Sequence, residues 1–177
     1  SIWIISILNM ISLYFLANWL PTLAKESGLS LNQALMIGST LQLGGTIGSV
    51  VMGLKIDKTG FYKVLIPVFL VAVMSVALIG YAVSHIVLLF IIIFIAGFAI
   101  VGGQPAINAL SASYYPVSLR TTGVGWSIGI ARLGSVIGPL FGGYLSQFLV
   151  ITHLFVIAAI PSLLVIIMLM IQAKYRS

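Results

Sequence analysis

The sequence predicts an all-α integral membrane protein of six transmembrane helices, and three observations carry that reading. Hydrophobic residues make up 61% of the 177 and charged residues only 6%, against roughly 25% charged in a soluble domain. Six apolar runs, at about 2–20, 31–53, 64–83, 86–111, 122–147 and 152–172, each approach or exceed the ~20 residues that a helix needs to cross the hydrocarbon core. The basic residues then fall almost entirely on one set of alternate connections between those runs.

A net charge of +6 invites a nucleic-acid reading, but its distribution belongs to a membrane. With six spans the two ends of the chain lie on one side. That side collects Lys55, Lys58, Lys63, Arg120, Lys174 and Arg176, while the other carries Lys25 alone, beside Glu26. The positive-inside rule places both ends in the cytoplasm, and the cell inner (plasma) membrane is the expected location. No nucleic-acid partner is needed. The absence of cysteine excludes disulfides and thiolate metal sites. Ser1 opens almost directly on an apolar run, with no charged leader and no initiator methionine. That start is not a signal peptide, and it reads as a chain continuing from something longer.

The first span carries Ser6, Asn9, Ser12, Tyr14 and Asn18 in an otherwise apolar run. Met10, Tyr14 and Asn18 share one face at four-residue spacing. That face reads as a cavity lining with a ring and an amide, or as interhelical hydrogen bonding. Trp19 suits an aromatic belt at the outer interface, and Pro21 is expected to end the helix there. In the second span Gly38, Gln42, Gly45 and Ser49 form a stripe, and Gly44 and Gly48 make a small-xxx-small pair for close helix approach. Gln42 could reach a cavity or act as a bond between helices.

Between the second and third spans runs Gly53-Leu54-Lys55-Ile56-Asp57-Lys58-Thr59-Gly60-Phe61-Tyr62-Lys63, read as a basic loop. Its G-x-x-x-D-[RK]-x-G-x-x-[RK] pattern resembles the loop signature of the major facilitator superfamily. The resemblance implies a gating motif of Gly53, Asp57, Lys58 and Gly60. Asp57 would cap and charge the end of a neighbouring helix, in a contact that forms or breaks as a transporter changes face. Gly53 would allow close approach and Gly60 a tight turn. Phe61-Tyr62 stand where that family usually has basic residues.

The third and sixth spans are nearly featureless apart from Pro67, Ser75, Pro161 and Ser162, as expected of lipid-facing scaffold. The fourth ends in Gly102-Gly103-Gln104-Pro105-Ala106-Ile107-Asn108. Gln104 and Asn108 share a face, and Pro105 with the two glycines predicts a kink. The polar content of the first, second, fourth and fifth spans gives an order of two lining helices and one outer helix, repeated.

The fifth span holds an arginine near its middle. Arg132 lies 11 residues after Thr121, roughly 16 Å along a helix, close to the midplane of a ~30 Å hydrocarbon core. Holding it there costs about 2.5–3.5 kcal/mol, so a partner or a watery cavity is expected. The only acids, Glu26 and Asp57, are assigned to loops. Two readings stay open. Arg132 snorkels or bonds to backbone carbonyls, or it faces a polar cavity and receives an anionic substrate.

Tyr114-Tyr115-Pro116 through Arg120, Thr121, Thr122, Gly123, Gly125 and Trp126 resembles the YPxxxRxTGxG(W) segment of the aromatic acid:proton symporters within that superfamily. Gly134 to Gly143 matches G-x-x-x-G-P-x-x-G-G. This resemblance covers about Trp19 to Gly143. It implies that residues 1–177 are the C-terminal six-helix half of a twelve-helix carrier, a secondary active transporter for proton-coupled uptake of aromatic carboxylic acids by alternating access. Its partners would be the small organic anion, protons, the lipid bilayer and an N-terminal six-helix half that holds most proton-coupling acids. Arg132 would take the carboxylate, Tyr14 and Trp126 the ring, and Asn18, Gln42, Gln104 and Asn108 the ring substituents. A carrier for another small organic anion or metabolite, a self-contained six-helix channel and a non-transporting scaffold are the alternatives. No enzyme, cofactor or metal site is expected: there is no HExxH, and His85 and His153 sit at outer loop edges far apart in sequence.

Overall fold

The computed structural model describes residues 2–176 as six helical spans, each long and apolar enough to cross a membrane. Ser1 and the side chain of Arg176, part of the charge and chain-start readings above, lie outside the described residues. The first span runs Ile2–Glu26, six residues past its expected end, with Pro21 inside it. Pro21 removes one hydrogen bond on an exposed face, while buried Leu20, Leu23 and Ala24 hold the next turn in place. Gly28 (φ 72) then reverses the chain, with Leu29 N–H donating to the Ala24 carbonyl at 3.0 Å, and Ser30 with Gln33 caps the second helix reciprocally.

That second helix, Leu31–Thr59, corrects the expected loop. Lys55, Asp57 and Lys58 are helical, and only Gly60 (φ 87) separates them from the third helix, Phe61–Ile79. The reason is length. A helix of 29 residues spans about 43 Å, so its charged end stands clear of a hydrocarbon core of about 30 Å. Glu26 likewise ends the first helix rather than lying in a loop.

The fourth span is continuous over Ile86–Tyr114. Its irregularity is a π-helical turn at Gly97–Val101, ending four residues before Pro105. Proline crowds the carbonyl four residues earlier and donates nothing to it, and Val101 is that residue. A wider turn relieves both defects. The fifth helix covers Arg120–Leu145, and the sixth span is interrupted at Ala159, two residues before Pro161.

Packing rests on two parallel crossings. The first helix lies along Gly134, Gly138 and Gly142 of the fifth, where an added Cβ would meet the backbone of Ile7 and Ile11 and the Trp19 ring. The second helix meets the fourth through Gly44 and Gly48 on one side and Gly97 and Gly102 on the other, each backed directly by the partner's backbone. In lipid, apolar side chains gain little from meeting one another, so close backbone contact carries association. Polar pairs add to it: Ser6 Oγ to Ser127 Oγ at 3.3 Å and Ser12 Oγ to Ser162 Oγ at 3.2 Å. The third and sixth spans pack on each other and turn apolar groups outward, such as Leu70, Met74, Leu78 and Ile167.

Alternation of the six spans puts Lys55, Lys58, Lys63, Arg120 and Lys174 at one end, with Lys25 and Glu26 at the other. Lys58→Cys in intact cells should therefore escape an impermeant thiol reagent that labels Lys25→Cys. Labelling at 58 and not at 25 would invert the topology.

Candidate functional site

Arg132 stands 12 residues into the 26-residue fifth helix, at its midpoint. It is exposed on the open face, turned away from the glycine contacts. Among the described residues its guanidinium meets neither a hydrogen-bond acceptor nor a carboxylate; only its backbone carbonyl is engaged, by Ser135 Oγ at 2.6 Å. Glu26 and Asp57 lie at helix ends, far from this depth. Bonding of Arg132 to backbone carbonyls within this chain, part of the first reading above, is thus absent from the described contacts.

The open surface of the fifth helix divides lengthwise. At about 100° per residue, Thr121, Gly125, Ser135, Pro139 and Gly143 fall on the edge of Arg132, with Ile128 and Val136 among them. Trp126, Leu133, Ile137, Phe141 and Tyr144 fall on the other edge. The second helix divides in a similar way, with Gln42, Thr46, Ser49, Gly53 and Asp57 on one edge and Leu43, Ile47, Val50 and Leu54 on the other. Each helix thus gathers its small and polar groups on one stripe and keeps a bulky, mainly apolar stripe beside it.

At the level of Arg132 lies an amide chain between the first and fourth helices. The register set by Ser6–Ser127 and Met10–Gly134 brings Asn9 level with Arg132. Asn9 Nδ2 donates to Gln104 Oε1 at 2.7 Å and to the Ile100 carbonyl of the π turn at 3.3 Å, and Gln104 Nε2 donates to Asn108 Oδ1 at 3.2 Å. Gln104 is buried, and Asn108 is half-buried at the open end of the chain. Asn9 Oδ1 is enclosed and unpaired. The sequence reading named Asn9 as polar but left it out of the site. Its signal was the Ser6, Asn9, Ser12 spacing, which puts all three on the buried face.

The remaining candidates are placed as follows. Tyr14 is half-buried and Asn18 exposed on one open face of the first helix, with Asn18 Nδ2 donating to the Tyr14 carbonyl at 2.8 Å. Tyr14 stands about five residues, or roughly 7 Å, along the bundle axis from Arg132. Gln42 is exposed on the polar stripe of the second helix. Trp126 is 62% exposed but on the apolar edge of the fifth helix, about 120° around from Arg132. It lines a groove of ≈ 350 Å³ with Trp3 and Tyr115, whose hydroxyl accepts from Trp3 Nε1 at 3.0 Å. The structure does not bring Trp126 to Arg132.

Of the gating motif, Gly60 makes the tight turn, in a conformation essentially confined to glycine. Gly53 has open space where close approach was expected. Asp57 is exposed and caps no helix among the described residues. Next to this end, the Tyr62 and Tyr114 hydroxyls share a hydrogen bond of 2.6 Å.

A family model described as Major Facilitator Superfamily matches residues 2–176. The 4-hydroxybenzoate transporter of Pseudomonas aeruginosa is 35% identical over 144 residues, 81% of this chain and 32% of the relative. The gallate transporter of Pseudomonas putida is 32% identical over 92% of this chain and 36% of its own length. The benzoate transport protein of Acinetobacter baylyi is 34% identical over 93% of this chain and 35% of its own. The chain spans about a third of the length of these relatives. Six paired spans, glycine-mediated crossings and a match over nearly all its residues make this chain a multi-pass membrane protein that belongs to the Major Facilitator Superfamily.

Proposed function

We propose that the chain is the C-terminal six-helix half of a secondary active transporter that takes up aromatic carboxylic acids with protons by alternating access. The observation that carries this reading is Arg132: a guanidinium at mid-depth, on the polar stripe of its helix, with no partner among the described residues. A cation so placed needs an anion or water, and a carboxylate offers it a planar, two-point fit. Tyr14, on the open face of the first helix, supplies ring surface, while Asn108 and Gln42 supply hydrogen-bond groups for ring substituents. Gln104 acts through Asn108, held in place by Asn9. The names of the relatives support aromatic acids as the substrate class.

The N-terminal half closes the cavity and carries the proton-coupling acids, in a plasma membrane with both ends of this chain in the cytoplasm. Cells expressing the full-length protein should accumulate labelled 4-hydroxybenzoate or benzoate, lose accumulation with a proton uncoupler, and show no competition by neutral benzamide. Uptake indifferent to the uncoupler would remove proton coupling, and equal competition by benzamide would remove carboxylate recognition. A conducting pore formed by this chain alone in liposomes would favour a channel instead.

The polar edge of the second helix ends in Asp57, which we assign to a contact with the other half that forms in one facing state. Asp57→Asn should leave membrane expression intact and slow the maximal uptake rate several-fold, because it removes a charge at almost constant size. Unchanged kinetics would reduce this segment to an ordinary basic connection.

A further inference from the structure

The basic end of the bundle contains a second cleft, separate from the polar stripes. Its mouth is formed by Lys55 and Lys58 from the end of the second helix and Lys63 from the start of the third. Its floor is apolar, with Pro67 and Val71 of the third helix and Phe98 of the fourth, and its volume is ≈ 500 Å³. From Lys63 at the mouth to Val71 on the floor the cleft follows the third helix for about 12 Å, most of one leaflet of a ~30 Å hydrocarbon core.

The one nearby acid does not neutralise this mouth. Asp57 lies roughly 100° or more around the second helix from both Lys55 and Lys58, on the edge shared with Gln42 and Thr46. Among the described residues none of the three ammonium groups has a hydrogen-bond or ion-pair partner. The third helix beside the cleft turns Leu70, Val71 and Met74 outward, so the cleft opens toward the bilayer.

We infer that this cleft binds an anionic phospholipid of the leaflet at the basic end, with its phosphate among Lys55, Lys58 and Lys63 and one acyl chain along Pro67, Val71 and Phe98. Three cations above an apolar trough match a molecule that is anionic at one end and hydrocarbon along the other. A free phosphate uses the mouth alone, and a single-ring aromatic acid is too short to cover more than the upper part of the floor. Basic pockets between spans on the cytoplasmic side are suited to such headgroups. The inference needs only the membrane placement and holds whatever the carrier transports.

The test is native mass spectrometry of the full-length protein purified with equal amounts of phosphatidylglycerol and phosphatidylcholine. Phosphatidylglycerol should be retained preferentially. Each Lys→Gln change at 55, 58 or 63 should weaken its retention about fivefold, and the triple variant on the order of a hundredfold, with phosphatidylcholine unaffected and Lys25→Gln silent. Excess glycerol phosphate should not displace the lipid. A second readout does not depend on the lysine variants: Val68→Trp beside the floor should be quenched more strongly by chain-brominated phosphatidylglycerol than by chain-brominated phosphatidylcholine. Wild-type retention by the triple variant, displacement by glycerol phosphate, or equal quenching by the two lipids overturns the assignment.

Discussion

Arg132→Ala in the full-length protein abolishes saturable binding of benzoate-type acids, and Arg132→Lys weakens it by about 1–3 kcal/mol, roughly 5- to 150-fold in Kd. These are the expected results of titrating the purified protein with benzoate and 4-hydroxybenzoate. A guanidinium offers two parallel N–H donors in a fixed plane, whereas an ammonium offers a point charge on a flexible stem. Lysine therefore retains the attraction and loses the geometry. Because the Arg132 side chain touches no acceptor among the described residues, its removal should leave the packing of this bundle alone. A carboxylate from the other half could instead be its partner. Arg132→Ala would then lower the melting temperature of the ligand-free protein, since it would leave that acid buried and unpaired. Unchanged affinity in both variants sinks the assignment of Arg132 as carboxylate receptor.

The largest structural effect is expected at the crossing of the second and fourth helices. A Cβ on Gly48 would run into the Phe98 carbonyl, with the Phe98 carbonyl carbon and Cα both at 2.9 Å. A Cβ on Gly102 would meet Gly48 Cα and Ser49 N at 2.9 Å. These neighbours are backbone, so no rotamer change relieves the clash. Gly48→Val should destabilise the protein by at least the roughly 3 kcal/mol at the top of the usual overpacking range. It should lower both the melting temperature and the yield of monodisperse protein in detergent. Gly143→Ala is the control, because a Cβ there meets nothing within 4 Å in this chain. Gly48→Val melting with the wild type would mean that the two helices do not cross as closely as described.

Hydropathy made the six spans and their order legible, because a bilayer imposes a minimum apolar length on any helix that crosses it. It could not mark their ends. Lys55, Asp57 and Lys58 show where the hydrocarbon stops, and the second helix continues through them to Thr59. Pro21 failed as a stop signal because the buried residues after it outweigh one lost hydrogen bond. At the fourth span, composition located the irregularity near Pro105 but not its form, since the defect a proline makes is relieved either by a kink or by a wider turn.

The depth of Arg132 could be counted from sequence, and its freedom from partners among the described residues could not. Trp126 entered the site through the resemblance, as aromatic surface for a ring, but it lies six residues from Arg132, a separation that turns a helix side chain about 240° and so carries it to the other edge. Asn9 was left out for a different reason. Its partner Gln104 lies 95 residues away, and only the fold brings the two amides together.

Gly60 has a mechanical consequence. It is the sole residue between two helices of 29 and 19 residues, so its own pair of torsion angles is nearly the whole of the freedom between them. Its backbone conformation, φ 87 and ψ 163, lies where only glycine rests without strain, so any other residue there would hold the two helices at a different angle. At the opposite end the first and second helices are linked by the four residues Ser27 to Ser30, held by backbone hydrogen bonds and the Ser30–Gln33 cap. The angle between the second and third helices is therefore set at a single residue, whereas that between the first and second is set over four.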